Sequence, residues 1–199
     1  MALFVSIWIK LFFVFTPFFA LSMFLSMTEG YDEGRRRKLA VAVTLAVAVL
    51  CFVLFFAGNQ LFSLFGITVD SFRIGAGALL FLSGVGLVQG KAGSTTVAPG
   101  DDVAVVPLGM PIIVGPATTG TLLVMGAELP GMKEKMLGSL ALLFAVACIS
   151  GLLLMASWIH RALGARGINI LSKLTGLILA ALSAQMIMTG ILGFLGPHP

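Results

Sequence analysis

Residues 39–58 read LAVAVTLAVAVLCFVLFFAG, twenty residues without one charged side chain. A bilayer core about 30 Å thick is crossed by about 20 apolar residues in a helix, so this stretch has the length and composition of a transmembrane span. The rest of the chain agrees. Of 199 residues 59% are hydrophobic and 10% charged, and the mean hydropathy is +1.11. A water-soluble domain of this length could not hide that much apolar surface, so its solvent is lipid.

Further apolar stretches flank the first. Six spans are expected, at about 3–27, 38–58, 71–90, 103–127, 134–158 and 169–194. The opening MALFVSIWIKLFF has no basic region followed by a short apolar run and a small-residue cleavage site, so it reads as a retained first span. The third and sixth stretches are rich in Gly, Ala and Ser, and Gly86 and Gly90 have a spacing that lets helix backbones approach closely. The longest connection, KAGSTTVAPGDD at 91–102, is polar and reads as a linker. It divides the chain into a first unit of three helices, residues 1–90, and a second, residues 103–199.

The formal charge of +4 does not point to nucleic acid, because the basic residues sit in connections. Placing the 1–2, 3–4 and 5–6 connections in the cytoplasm gathers Arg35, Arg36, Arg37, Lys38, Lys91, Arg161, Arg166 and Lys173 there. Lys10, Arg73, Lys133 and Lys135 remain on the other side. This asymmetry predicts a membrane protein with both termini facing outward.

Two spans carry helix breakers. The first contains FTPFFALSMF at 15–24, and the fourth contains Pro107, Pro111 and Pro116 with Gly109, Gly115 and Gly120 among them. Proline removes a helix hydrogen bond and clashes with the preceding turn. Thr16-Pro17 and Gly115-Pro116 stand 99 positions apart (17 and 116), as do Glu29 and Glu128. Arg73 to Gly90 lies over Lys173 to Gly190 at an offset of 100. Two tandem units of three spans enter a membrane in opposite orientation, so the expected fold is all-α, six transmembrane helices in two inverted three-helix repeats, with the first helix of each repeat interrupted.

Irregular backbone at membrane depth is tolerated where protein or a water-filled cavity satisfies it. Each break starts a half-helix whose N–H groups carry partial positive charge, and two such ends could hold a carboxylate without a buried Arg or Lys. The candidate substrate-binding residues are therefore Thr16, Pro17, Gly115, Pro116, Thr118 and Thr119, with Ser83, Ser183 and Gln185 lining from the third and sixth spans. Two alternatives stay open: prolines that only kink helices for packing, and serines that bond back to their own helix carbonyls.

All eight acids lie at span ends or in connections, so a carboxylate proton relay at mid-span is excluded. Coupling to H+ or Na+ would fall to carbonyls, hydroxyls, or Glu29 and Glu128, which can equally be solvated interfacial groups. Cys51 and Cys148 lack the partners of a metal or redox site and read as small buried hydrophobes. An intramembrane hydrolase would need a metal motif, a Ser–His pair or paired aspartates at depth. Neither catalytic residues nor a cofactor or metal site is expected.

The stretch VVPLGMPIIVGPATTG at 105–120 resembles the MarC family of six-span inner-membrane proteins, which favours a VPLAxPxxAGPG segment. The likeness extends to FGITVDSFRIGAGALLFL at 65–82 and RGINILSKLTGLILAALSAQMIMTGI at 166–191. The resemblance implies six spans and outward termini. Some relatives are described as transporters of small neutral amino acids such as glycine and alanine, near the LysE-type exporters. Where the family often has DPxGNxPxF, this chain has Phe19, Ala20 and Ser22 in place of Gly, Asn and the second Pro, and Ala117 replaces the last Gly of GPG. The first break is thus expected to be less complete. The function expected is secondary transport or export of a small neutral solute by alternating access, with the bilayer, a coupling ion and a second copy of the chain as partners. The alternative is a passive channel or an accessory membrane subunit.

Overall fold

The computed structural model of the chain describes residues 2–90, 113–129 and 131–195. These residues form helices α1 (Ala2–Val14), α2 (Pro17–Met27), α3 (Glu33–Phe65), α4 (Val69–Gln89), α5 (Pro116–Glu128), α6 (Met132–Leu154) and α7 (Ala156–Leu195), with no strand among them. Five stretches are long and apolar enough to cross a bilayer: Leu3–Met27, Glu33–Phe65, Val69–Gln89, Met132–Leu154 and Ala156–Leu195. The chain is an integral, multi-pass membrane protein. The expected linker at 91–102 and the first part of the fourth span, with Pro107, Gly109 and Pro111, lie outside the described residues. The remainder of that span is α5, whose 13 residues reach about 20 Å and cannot cross alone.

Helix ends follow local chemistry. α3 starts five residues before the expected span because the Asp32 carboxylate accepts a bond from the Arg35 amide at 3.1 Å. It runs seven residues past the expected end, to a left-handed Gly66 at φ 63°. The Thr68 hydroxyl then caps α4 by accepting from the Ser71 amide. α6 ends four residues short of the expected span, and α7 begins well before residue 169, but Gly164 at φ 64° and ψ 173° divides it. A continuous helix resumes only at 165.

From Leu39 to Gly58 α3 is free of charge on every side, and one side of that surface is buried in the protein. Val43, Val47, Cys51 and Phe55 are buried at four-residue spacing, whereas Leu45, Val49 and Val53 are 66%, 57% and 59% exposed. A stripe of that kind on the outer side faces lipid. The main core joins α1, α2, α3, α5, α6 and α7 through Leu11, Phe24, Phe55, Leu122, Leu142 and Ile168.

α4 and α7 pack antiparallel along small residues. A Cβ on Gly84 would lie 2.8 Å from the Gly176 carbonyl oxygen, and one on Gly176 would lie 2.7 Å from that of Gly84. Further along, Gly77 abuts Ser183 and Gly190 abuts Asp70. Gly90, expected with Gly86 at such an interface, instead ends α4 at φ 73°. α5 lies on α3 and α4, and α2 lies on α7.

At the α2–α3 corner the Arg36 guanidinium donates to the Thr28 hydroxyl (3.1 Å), the Thr28 carbonyl (2.9 Å) and the Ser157 hydroxyl (2.7 Å). One member of the basic cluster therefore ties the corner to the start of α7.

Candidate functional site

The first break is complete despite the departures at Phe19, Ala20 and Ser22, which corrects the expectation of a partial one. α1 stops at Val14, Thr16 adopts φ 48° and ψ 58°, and Pro17 opens α2. Thr16 is the one non-glycine residue with positive φ among those described. The left-handed region costs an L residue about 1–2 kcal/mol, so the surrounding packing must hold it there. In the second break Gly115 is extended at φ −79° and ψ −179°, and Pro116 opens α5. The first bonds of the two half-helices match: the Ala20 amide donates to the Thr16 carbonyl and the Thr119 amide to the Gly115 carbonyl, both at 2.9 Å. The amides of Phe18 and Phe19, and of Ala117 and Thr118, precede those bonds and are the donors that a helix start leaves over.

The breaks touch. The buried Thr118 hydroxyl lies 2.9 Å from the Ile113 carbonyl oxygen and 3.4 Å from that of Val14, the last residue of α1. Val14 and Ala117 pack with Leu80, halfway along α4, and with Leu179 of α7. Of the other residues expected at the site, Pro17 is buried, Thr16, Gly115 and Thr119 are half-buried, and Pro116 is exposed. The Ser83 hydroxyl donates to the Leu79 carbonyl at 2.9 Å and that of Ser183 to the Ala180 carbonyl at 2.7 Å, so both bond back to their own helices. Gln185 is exposed, with its amide 3.4 Å from the Thr189 hydroxyl.

Two cavities extend along the half-helices. One, about 260 Å3, lies among α1, α4, α5 and α7, lined by Lys10, Val14, Arg73, Leu80, Gln185 and Thr189 with four residues of α5. The other, about 490 Å3, lies among α2, α3 and α7, lined by Arg36, Ser157, His160, Arg161 and Ile168 with three residues of α2 and Glu29 just after it. The α5 residues are Thr121, Val124, Met125 and Glu128; their fellows are Ser22, Leu25 and Ser26 of α2 and Glu29 in the turn that follows it. Each member of the first set stands 99 positions after its fellow in the second. Both sets follow i, i+3, i+4, i+7, one face of a helix. Each face ends in a glutamate.

The two glutamates differ in company. Arg73, 14% exposed at its side chain, donates through Nε to Glu128 Oε1 at 2.8 Å and through a terminal nitrogen to the same oxygen. Its other terminal nitrogen bonds Asp70 Oδ1 at 2.6 Å. Glu29 has no ion pair among the described residues. Sequence reasoning treated Arg73 and Glu128 as separate interfacial charges. The matched offsets of Glu29 with Glu128 and of Arg73 with Lys173 were the available signal.

A family model described as "MarC family integral membrane protein" matches residues 1–195. The chain belongs to the MarC family. It is 32% identical to the UPF0056 membrane protein YhcE of Escherichia coli over 93% of this chain and 90% of that protein. A UPF0056 membrane protein of Aquifex aeolicus is 30% identical over 95% and 92%. The UPF0056 inner membrane protein YhgN of Escherichia coli is 28% identical over 94% and 95%. No solved structure matches. Within this MarC family chain, the VVPLGMPIIVGPATTG stretch contains the Thr118 that joins the breaks, and the FRIGAG segment supplies the Arg73 that holds Glu128.

Proposed function

We propose that this MarC family member is a secondary transporter or exporter of a small neutral solute, most simply a zwitterionic amino acid such as glycine or alanine. It works by alternating access between two inverted three-helix halves, with both termini outside the inner membrane. The observation that carries this reading is the matched lining of the two cavities. Residues 22, 25, 26 and 29 face one, and residues 121, 124, 125 and 128 face the other. A carrier needs one site reachable from two sides in turn, and an inverted repeat supplies two equivalent routes to it.

Other features support the same reading. α4 packs antiparallel on α7, as third spans of opposed halves must. The half-helices α2 and α5 start at breaks that touch near the middle of that pair. The solute carboxylate would sit at the helix-start amides, where partial positive charge is fixed. The Thr16 hydroxyl makes no cap bond and is available beside it. The charged mouths of both cavities suit a solute that carries both signs and no net charge.

The test is uptake and counterflow of labelled alanine and glycine in liposomes holding the purified protein. Accumulation above empty liposomes, abolished by Thr16→Val together with Thr119→Val, is expected. Absence of both uptake and counterflow across a panel of small zwitterions removes the transporter reading.

A further inference from the structure

We infer that the Arg73–Glu128 ion pair is the gate of the α5 cavity, and that Lys173 and Glu29 form the corresponding gate of the α2 cavity when the first is open. This rests on the alternating-access reading and adds the side chains that switch it. The α5 cavity is the smaller, and its terminal glutamate is held by Arg73, which Asp70 also anchors. The α2 cavity is the larger, and its glutamate is unpaired. α5 packs on α4 as α2 packs on α7. Glu29 stands 99 positions before Glu128 and Lys173 stands 100 after Arg73, so the second pair occupies the places of the first. Lys173 is exposed and without an ion pair among the described residues.

The halves differ in one respect that explains the conformer observed. The position of Asp70, moved on by 100, is Ile170. Arg73 thus has two carboxylates, while Lys173 would have one partner and no planar fork with which to engage it. The state with the α5 cavity closed is therefore the resting one. Arg161 also lines the α2 cavity, but on the piece of α7 before the Gly164 break, and it has no counterpart near Glu128.

The experiment reads accessibility, independent of transport. In the full chain with Cys51 and Cys148 replaced by alanine, Thr121→Cys, at a buried position, reports on the α5 cavity and Ser26→Cys on the α2 cavity. Each is labelled with a membrane-impermeant maleimide from either side of oriented vesicles. Arg73→Gln should raise labelling at position 121 at least threefold and lower it at position 26. Lys173→Gln should do the opposite, Arg73→Lys should restore most of the protection, and Arg161→Gln should change neither. A general packing defect would raise both signals together, and that result, or no change with Arg73→Gln, overturns the inference. Reciprocal shifts in a protein that moves no solute would retain the gates and reject the transporter; transport without such shifts would do the reverse.

Discussion

At the scale of a single residue, the Thr118 hydroxyl joins two chain segments 104 positions apart. It sits beside the Ile113 and Val14 carbonyls, at chain ends where a broken helix leaves acceptors without amide partners. Thr118→Val keeps the shape and removes the donor, and is expected to destabilise the fold by about 1–2 kcal/mol. Denaturant titration in detergent micelles measures it. Thr44→Val is the control, since the Thr44 hydroxyl bonds only the Ala40 carbonyl of its own helix, and it should change stability by less than about 0.5 kcal/mol. The candidate site was partly legible here. Prolines preceded by Thr16 and Gly115 announce a break because a missing N–H is a local property. That Ser83 and Ser183 would bond their own helices was an open alternative, since the same side chain can satisfy itself within one turn or reach a neighbour.

At the scale of the element, lipid offers no hydrophobic drive for helix association, and the α4–α7 pair depends on close backbone approach. Gly84 and Gly176 face each other's carbonyls, so Gly84→Val forces the helices apart. The expected cost is at least about 2 kcal/mol, with loss of the monodisperse folded fraction on size-exclusion chromatography. Gly75 lies in the same helix with nothing within 4 Å of an added Cβ. Gly75→Ala should therefore be neutral or stabilising by up to about 1 kcal/mol, through helix propensity alone. Composition marked α4 and α7 as closely packing helices, but the spacing of Gly86 and Gly90 pointed to the wrong pair. Which glycine is buried depends on where the partner helix crosses, and the segment itself does not contain that information. The ends of α3 were missed for a different reason: the span estimate follows apolarity, whereas the helix continues through charged turns to its caps at Asp32 and Gly66.

At the scale of the whole molecule, the distribution of basic residues predicts that both termini face away from the cytoplasm. A reporter active only outside the cytoplasm, fused after Pro199, is expected to be active, and one that fluoresces only in the cytoplasm to be dark. Reversed signals would invert the assignment of the two cavities to the two sides without altering their pairing. The amino-acid sequence by itself determined the solvent, the helical class, the places of both breaks and the 99-residue correspondence of the two glutamates. Each of these is written in charge-free runs, in residues lacking an amide proton, or in spacing along one chain. The tertiary structure alone decided that the breaks touch through Thr118, that Arg73 holds Glu128 across 55 positions, and that matching faces of α2 and α5 line separate cavities. Those are distances between remote segments, and they are set by how helices pack against one another.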